Sequence, residues 1–226
     1  MSALNVGNQM EPFLELSNAA IEGIIRPTVE GTLNPLGFER GDCLKWVRSA
    51  DAPIRQVFTF HKWKGGLIAP SWGVSLDFVP HLVSGQVKWH RTPKSALQDL
   101  RLDAREPRLS ISYVHGPSPL GQGIGEVTRL AVAEAQTFWR VSSTVAGLPA
   151  SCEWAEQYYA RHEGLMFDDY GQHAVARPFI LAKSGRDGEA RALLKQFFER
   201  NRSSLRGETA ERLRALLAKC AQHRDD

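Results

Sequence analysis

The hydrophobic period of this chain changes near residue 116, and that change limits the folds open to it. Before it, Trp72, Val74, Leu76 and Phe78 alternate with Ser71, Gly73, Ser75 and Asp77. Alternation of this kind makes a strand with one buried and one wet face, and it favours an antiparallel over a parallel sheet. After it, Val127, Leu130, Ala131, Ala135, Phe138 and Trp139 recur at helical spacing and form one apolar stripe. Strands grouped first and helices grouped later is the α+β pattern. The reading is a single α+β domain over residues 1–226. A helix plus an antiparallel sheet of about four to five strands occupies 1–115, and about four helices packed on it occupy 116–226.

The leading helix is read from Glu11 to Leu33, with Leu14, Ile21, Ile24, Ile25, Val29 and Leu33 on its apolar side. Pro27 removes a backbone donor from the middle of it, so a kink or two short helices are expected there. Strands follow at Cys43–Val47, Ile54–Trp63 and Ser71–Phe78, with Gly65-Gly66 as one reversal. A further short strand is read at Val83–His90, a helical turn at Ser95–Leu100 and a strand at Leu109–Val114. The Gly- and Pro-rich stretch Gly116–Gly125 reads as a loop. Beyond the first stripe, Ser151 is read as the N-cap of a second helix carrying Trp154, Tyr158 and Tyr159. Asp187 is read as the cap of a third, and a fourth runs from about Glu208 to Ala221. These last two are expected to form a helical hairpin.

Several classes of function are disfavoured by composition and motif. The 28 basic and 25 acidic residues leave a formal charge of +3, and dividing the chain after Ala150 gives 15 against 13, then 13 against 12. Nucleic-acid binders concentrate positive charge on one face, so nucleic acid is an unlikely partner. Cys43, Cys152 and Cys220 form no C-x-x-C pair, which argues against zinc ribbons and thiol redox motifs. Three scattered thiols, a polar Met1–Met10 segment and only short apolar runs point to a cytoplasmic protein without a membrane span.

Three constellations invite a functional reading. Gly121-Gln122-Gly123-Ile124-Gly125 lies between a predicted strand and a predicted helix, where a phosphate-binding turn would lie, yet it departs from the G-x-G-x-x-G spacing. His162, Glu163, Asp168, Asp169 and His173 bring imidazoles and carboxylates close in sequence, but match no metal-binding spacing, so a polar interhelical loop is the expectation. Lys88, Trp89, His90 and Arg91 mix basic and aromatic side chains, and from Gln86 to Arg108 there are six Lys or Arg against three acids. Exposed aromatics beside charge favour protein interfaces, so Trp63, Lys88, Trp89, His90 and Arg91 are the candidate binding residues. Trp46, Trp72 and Trp139 sit on apolar faces and read as core. No G-x-S-x-G elbow is present. No catalytic residue, metal ligand or cofactor is assigned.

The segment from Ile24 to Leu82 runs I-I-R-P-T-V-E-G-T-L-N-P-L-G-F-E-R, then K-W-V-R, then Q-V-F-T-F-H-K-W, then W-G-V-S-L-D-F-V-P. It resembles a family of bacterial proteins known as domain of unknown function 4304, in which a leading helix ends in L-x-x-L-G-F and strands follow. The resemblance covers the first third to half of the chain. Phe60-His61-Lys62 stands where the family often has a Gln-Lys-Ser-type run. It implies a helix-plus-antiparallel-sheet core, and through related small bacterial proteins an immunity or toxin-neutralising role, with no catalytic residues to carry over.

Two functional expectations follow. The first is a non-enzymatic cytosolic module that binds another protein, in the manner of an immunity protein. The basic pI near 8.8 counts against a nuclease as its target. The second is an enzyme or nucleic-acid-processing factor whose site is assembled from His61, His90, His115, Asp168 and Asp169. A homodimer joined through the C-terminal hairpin is a third arrangement consistent with the pattern.

Overall fold

A computed structural model describes residues 15–49, 53–63, 65–104, 106–114, 117–161, 172–203 and 205–223. It has the expected α+β architecture: a leading helix, an antiparallel sheet and a set of C-terminal helices.

Helix α1 spans Asn18–Leu33, and the Ser17 side chain caps it by accepting the Ala20 N–H at 3.2 Å. It therefore starts later than Glu11; residues 11–14 lie outside the described residues. Ile21, Ile25, Val29 and Leu33, one turn apart, form its buried face. One helix runs through Pro27 rather than two short ones. Pro27 is on the exposed side, where water can reach the backbone carbonyl that its missing N–H leaves unpaired.

The strand expected at Cys43–Val47 is instead the second arm of a hairpin, β1 (Glu39–Asp42) and β2 (Lys45–Ser49). Its turn passes through Leu44 at a φ of 56°, and the Asp42 carboxylate accepts the Cys43 N–H at 2.8 Å. Strands β3 (Ile54–Trp63) and β4 (Leu67–Leu76) pair along their full length through the Gly65-Gly66 turn. Gly66 combines a φ of 80° with a site where a Cβ would fall 2.4 Å from Val114. The segment read as one strand at Val83–His90 is a separate two-stranded hairpin, β5 (His81–Val83) with β6 (Gln86–Lys88). Where a helical turn was expected at Ser95–Leu100, the chain has a strap of turns followed by β7 (Leu100–Asp103). Strand β8 (Ile111–Ser112) is all that forms of Leu109–Val114. The sheet order is β1-β2-β3-β4-β7, with β8 pairing the same β4 further along.

Helix α2 spans Pro117–Val141, so the Gly-rich stretch from Pro117 to Gly125 is helix and not loop, while Gly116 lies outside the described residues. The glycines serve close packing. A Cβ on Gly121 would lie 3.7 Å from Ile24, one on Gly125 would lie 3.3 Å from Thr28, and one on Gly123 would lie 3.2 Å from Ile111. They let α2 wedge between α1 and β8, and Pro117 fits a first helical turn, which has no internal donor to lose. Phe138 and Trp139 then reach the sheet: Trp139 stacks on Phe38 at 4.9 Å and donates its indole N–H to the Gly73 carbonyl at 3.1 Å.

Helix α3 (Leu148–Arg161) is entered through a short 3-10 turn whose Thr144 hydroxyl accepts the Gly147 N–H at 3.2 Å. Ser151 lies inside α3, its hydroxyl bonding the Gly147 carbonyl at 3.0 Å, and is not the cap. Helix α4 (Gln172–Lys183) has no counterpart in the sequence reading. It is buried over nearly its whole circumference, so it shows no amphipathic stripe to announce it. Helices α5 (Asp187–Arg200) and α6 (Gly207–Gln222) both pack chiefly on α4 and touch each other much less, so they are not a simple hairpin. One continuous hydrophobic cluster joins α1, the sheet and all the later helices.

The second face of the sheet is also closed. Ser71 and Ser75 were expected to be wet, but both are fully buried. The 92–98 strap lies over that face: Ala96 packs on Val47 and Val57, and the Lys45 ammonium donates to the Lys94 and Ala96 carbonyls at 2.9 and 3.0 Å. Among the described residues no helix is long and apolar enough to cross a membrane.

Candidate functional site

The five residues proposed for a binding surface do not share one. Trp89 is exposed, and the Arg91 guanidinium stacks over its ring at 3.8 Å. Arg91 also donates to the Asp77 carbonyl at 2.8 Å, while Arg55 pairs with the Asp77 carboxylate and donates to the Arg91 carbonyl at 2.7 Å. Lys88 is exposed at the end of β6. His90 points inward and is only 3% exposed. Trp63 is half-buried at the far end of β3, eight residues from Arg55 and so about 27 Å along the strand. Trp89 and Arg91 are thus neighbours, and Trp63 belongs to the opposite end of the sheet.

His90 and His61 each belong to a polar network inside the fold. The Asp99 carboxylate is fully enclosed; it accepts the Leu76 N–H at 2.6 Å and the Gln172 amide at 2.6 Å, and bonds His90 Nε2 at 2.8 Å. Burial pushes the Asp99 pKa up, while His90 and the amide donors pull against that. His81 packs edge-on to His90 at 5.9 Å, and burial lowers its pKa. This network ties β4, the strap and the first turn of α4 together. On the other face, His61 Nε2 lies 2.8 Å from the Thr59 hydroxyl and 2.9 Å from that of Ser71, which in turn donates to Gln98 at 3.0 Å.

The Ser71–His61 contact has the outline of a nucleophile and base, but its chemistry runs the other way. Burial, with Arg101 alongside, pushes the His61 pKa down to about 3. The imidazolium that must form when a base takes a serine proton is therefore disfavoured, and no carboxylate among the described residues accepts from the ring to offset it. Ser71 is itself fully enclosed by strand and strap. Gln98 and Asp99 are adjacent in the chain yet serve different networks, so His61 and His90 do not converge. His115, Asp168 and Asp169 lie outside the described residues, as do His162 and Glu163; His173, on α4, is 4.0 Å from Glu156. Among the described residues no group of three or more His, Cys, Asp or Glu side chains is arranged to hold a metal ion.

Among the described residues, a groove that no sequence motif marks is well formed for recognition. Because α5 and α6 meet mainly through α4, a groove of about 640 Å³ remains between them. Leu194 and Leu217 are buried beside it, and Ala182, Ala190, Ala218 and Ala221 keep it open by being small. Phe198 forms part of one wall, with the Arg214 guanidinium over its ring at 4.7 Å. Arg191 and Lys195, one turn apart on α5, and Arg214 on α6 supply three exposed cations, against Asp187 as the one lining acid among the described residues. Lys195 meets Glu199 at 3.8 Å across open solvent, a contact worth little. An apolar trough with a basic rim suits an amphipathic ligand whose polar side is acidic. The signal lay in the i, i+4 pairs Arg191–Lys195 and Leu194–Phe198, but without α4 the two helices had no reason to stand apart.

No family model matches the chain, and neither a curated protein nor a solved structure matches it.

Proposed function

We propose that this protein is a non-enzymatic binding module that captures an acidic amphipathic helix of another protein in the groove between α5 and α6. The observation that carries the reading is the pairing of an apolar floor with three cations on the rim. Helix-in-groove recognition needs both parts: apolar side chains at helical spacing fill the floor and give affinity, while rim charges choose partner and orientation. The sign of the rim fits the basic pI of 8.8 and points away from basic targets such as nucleases. An immunity role is the setting that the sequence resemblance brings to this proposal, with an acidic toxin domain as the partner.

The test uses two labelled helical peptides with identical Leu faces, one carrying Glu and the other Lys on the polar side, read by fluorescence anisotropy. The acidic peptide is expected to bind at least about tenfold more tightly at low salt and to weaken as salt rises. Reversing the rim by Arg191→Glu, Lys195→Glu and Arg214→Glu should invert the preference without altering the circular dichroism spectrum. Equal binding of both peptides, or of neither, would refute the proposal. Concentration-dependent self-association abolished by Ala218→Trp would show instead that a second copy fills the groove.

A further inference from the structure

Lys183, the last residue of α4, is only 8% exposed, yet its ammonium has no carboxylate partner among the described residues. It donates to the His223 backbone carbonyl at the end of α6, which occupies one of its three N–H donors. A buried ammonium needs more than one neutral acceptor, because taking it out of water costs free energy that a single carbonyl does not return. The side chain lines a pocket of about 380 Å³ shared with Pro53, Asp77, Phe78, Arg91 and His223. The Asp77 carboxylate is already engaged by both Arg55 terminal nitrogens, so it does not neutralise the pocket. Arg91 is held in place by Trp89 beneath its guanidinium and by its Nε bond to the Asp77 carbonyl, and its terminal nitrogens make no hydrogen bond to a described residue.

Among the described residues the pocket thus presents two positive charges without an acidic partner, one buried and one stacked, on elements far apart in sequence. We propose that it is a binding site for a small phosphorylated molecule, with the phosphoryl group between Lys183 and Arg91. Two cations match the two charges of a phosphate monoester, and the fork of Arg91 gives it parallel donors. Phe78 and Pro53 provide an apolar wall for the organic part. This site is separate from the α5–α6 groove in rim and chemistry.

The experiment is calorimetric titration of the full chain with phenyl phosphate and with inorganic phosphate in low-salt buffer, using sulfate and chloride as controls. Saturable binding of phenyl phosphate is expected, about tenfold or more weaker in Arg91→Gln and in Lys183→Met. Lys183→Met keeps the buried stem, and Arg91→Gln is a surface change that tests the site even if the lysine variant fails to fold. The groove-reversed variant should bind phenyl phosphate unchanged, so this result stands apart from that of the groove. No saturation up to about 10 mM, an affinity no better than that of sulfate or chloride, or unchanged binding in Arg91→Gln would overturn the proposal.

Discussion

His61 shows how one side chain ties the fold to pH. Its ring is neutral and half-buried against Thr59 and Ser71, and its pKa falls from 6.5 to about 3. In the unfolded chain the ring protonates normally, so as pH drops below 6.5 the unfolded state takes up a proton that the folded state refuses. Above that value both states are neutral and His61 contributes no pH dependence. The folded state should therefore lose on the order of 3 kcal/mol through this residue between pH 6.5 and about pH 4. His61→Gln, which keeps hydrogen bonds for the two hydroxyls and does not titrate, should flatten that part of the curve. Urea midpoints at about pH 7 and about pH 4 for both proteins would check it, and equal losses would count against a buried neutral ring. The same residues mark where reading at this scale stops. Alternation placed Trp46 and Trp72 in the core and helical spacing placed Trp139 there, and all three are buried. It read Ser71 and Ser75 as wet because a polar side chain under a strap of neighbouring chain looks, in sequence, like one under water.

At the scale of elements the sheet was legible at β2, β3 and β4, where the residue pattern marks a strand and β3–β4 turns on two adjacent glycines; the short strands β1 and β7 carry no such pattern and were not read. The helical half was legible only where helices keep a wet side. Helix α4 has none, and the opening turns of α2 replace a stripe with glycines whose purpose appears only once α1 lies against them. The two kinds of helical glycine should respond oppositely to substitution. Gly23 on α1 is exposed, with open space where a Cβ would stand, so Gly23→Ala is expected to raise stability by about 0.5–1 kcal/mol. Gly125 faces Thr28 at close range, so Gly125→Leu should force α1 from α2 and lower stability by about 1–3 kcal/mol. Thermal melts of the two variants against the parent would decide it; a loss in both would mean that helix propensity is not what limits α1.

For the whole molecule, one hydrophobic cluster runs from α1 to α6. All six tryptophans precede residue 155, so α4, α5 and α6 contain none. Tryptophan fluorescence thus reports the sheet, α2 and α3, while far-ultraviolet circular dichroism is weighted to all the helices. The two signals should give the same unfolding midpoint if the cluster acts as one cooperative unit; a helical transition several degrees lower would mean that the C-terminal helices melt on their own. The groove and the Lys183 pocket exist only at this scale, since each is assembled from helices or loops that sequence separates, and neither leaves a local motif. Among the described residues β1 pairs on one side only, is four residues long, carries Glu39, Arg40 and Asp42, and changes register between Arg40 and Asp42. A foreign backbone laid along it would find a short, charged and bent template, which is how proteins discourage growth of one sheet onto another. A short, charged and bent edge of this kind should disfavour fibril growth from its side of the sheet and leave encounters there to side chains.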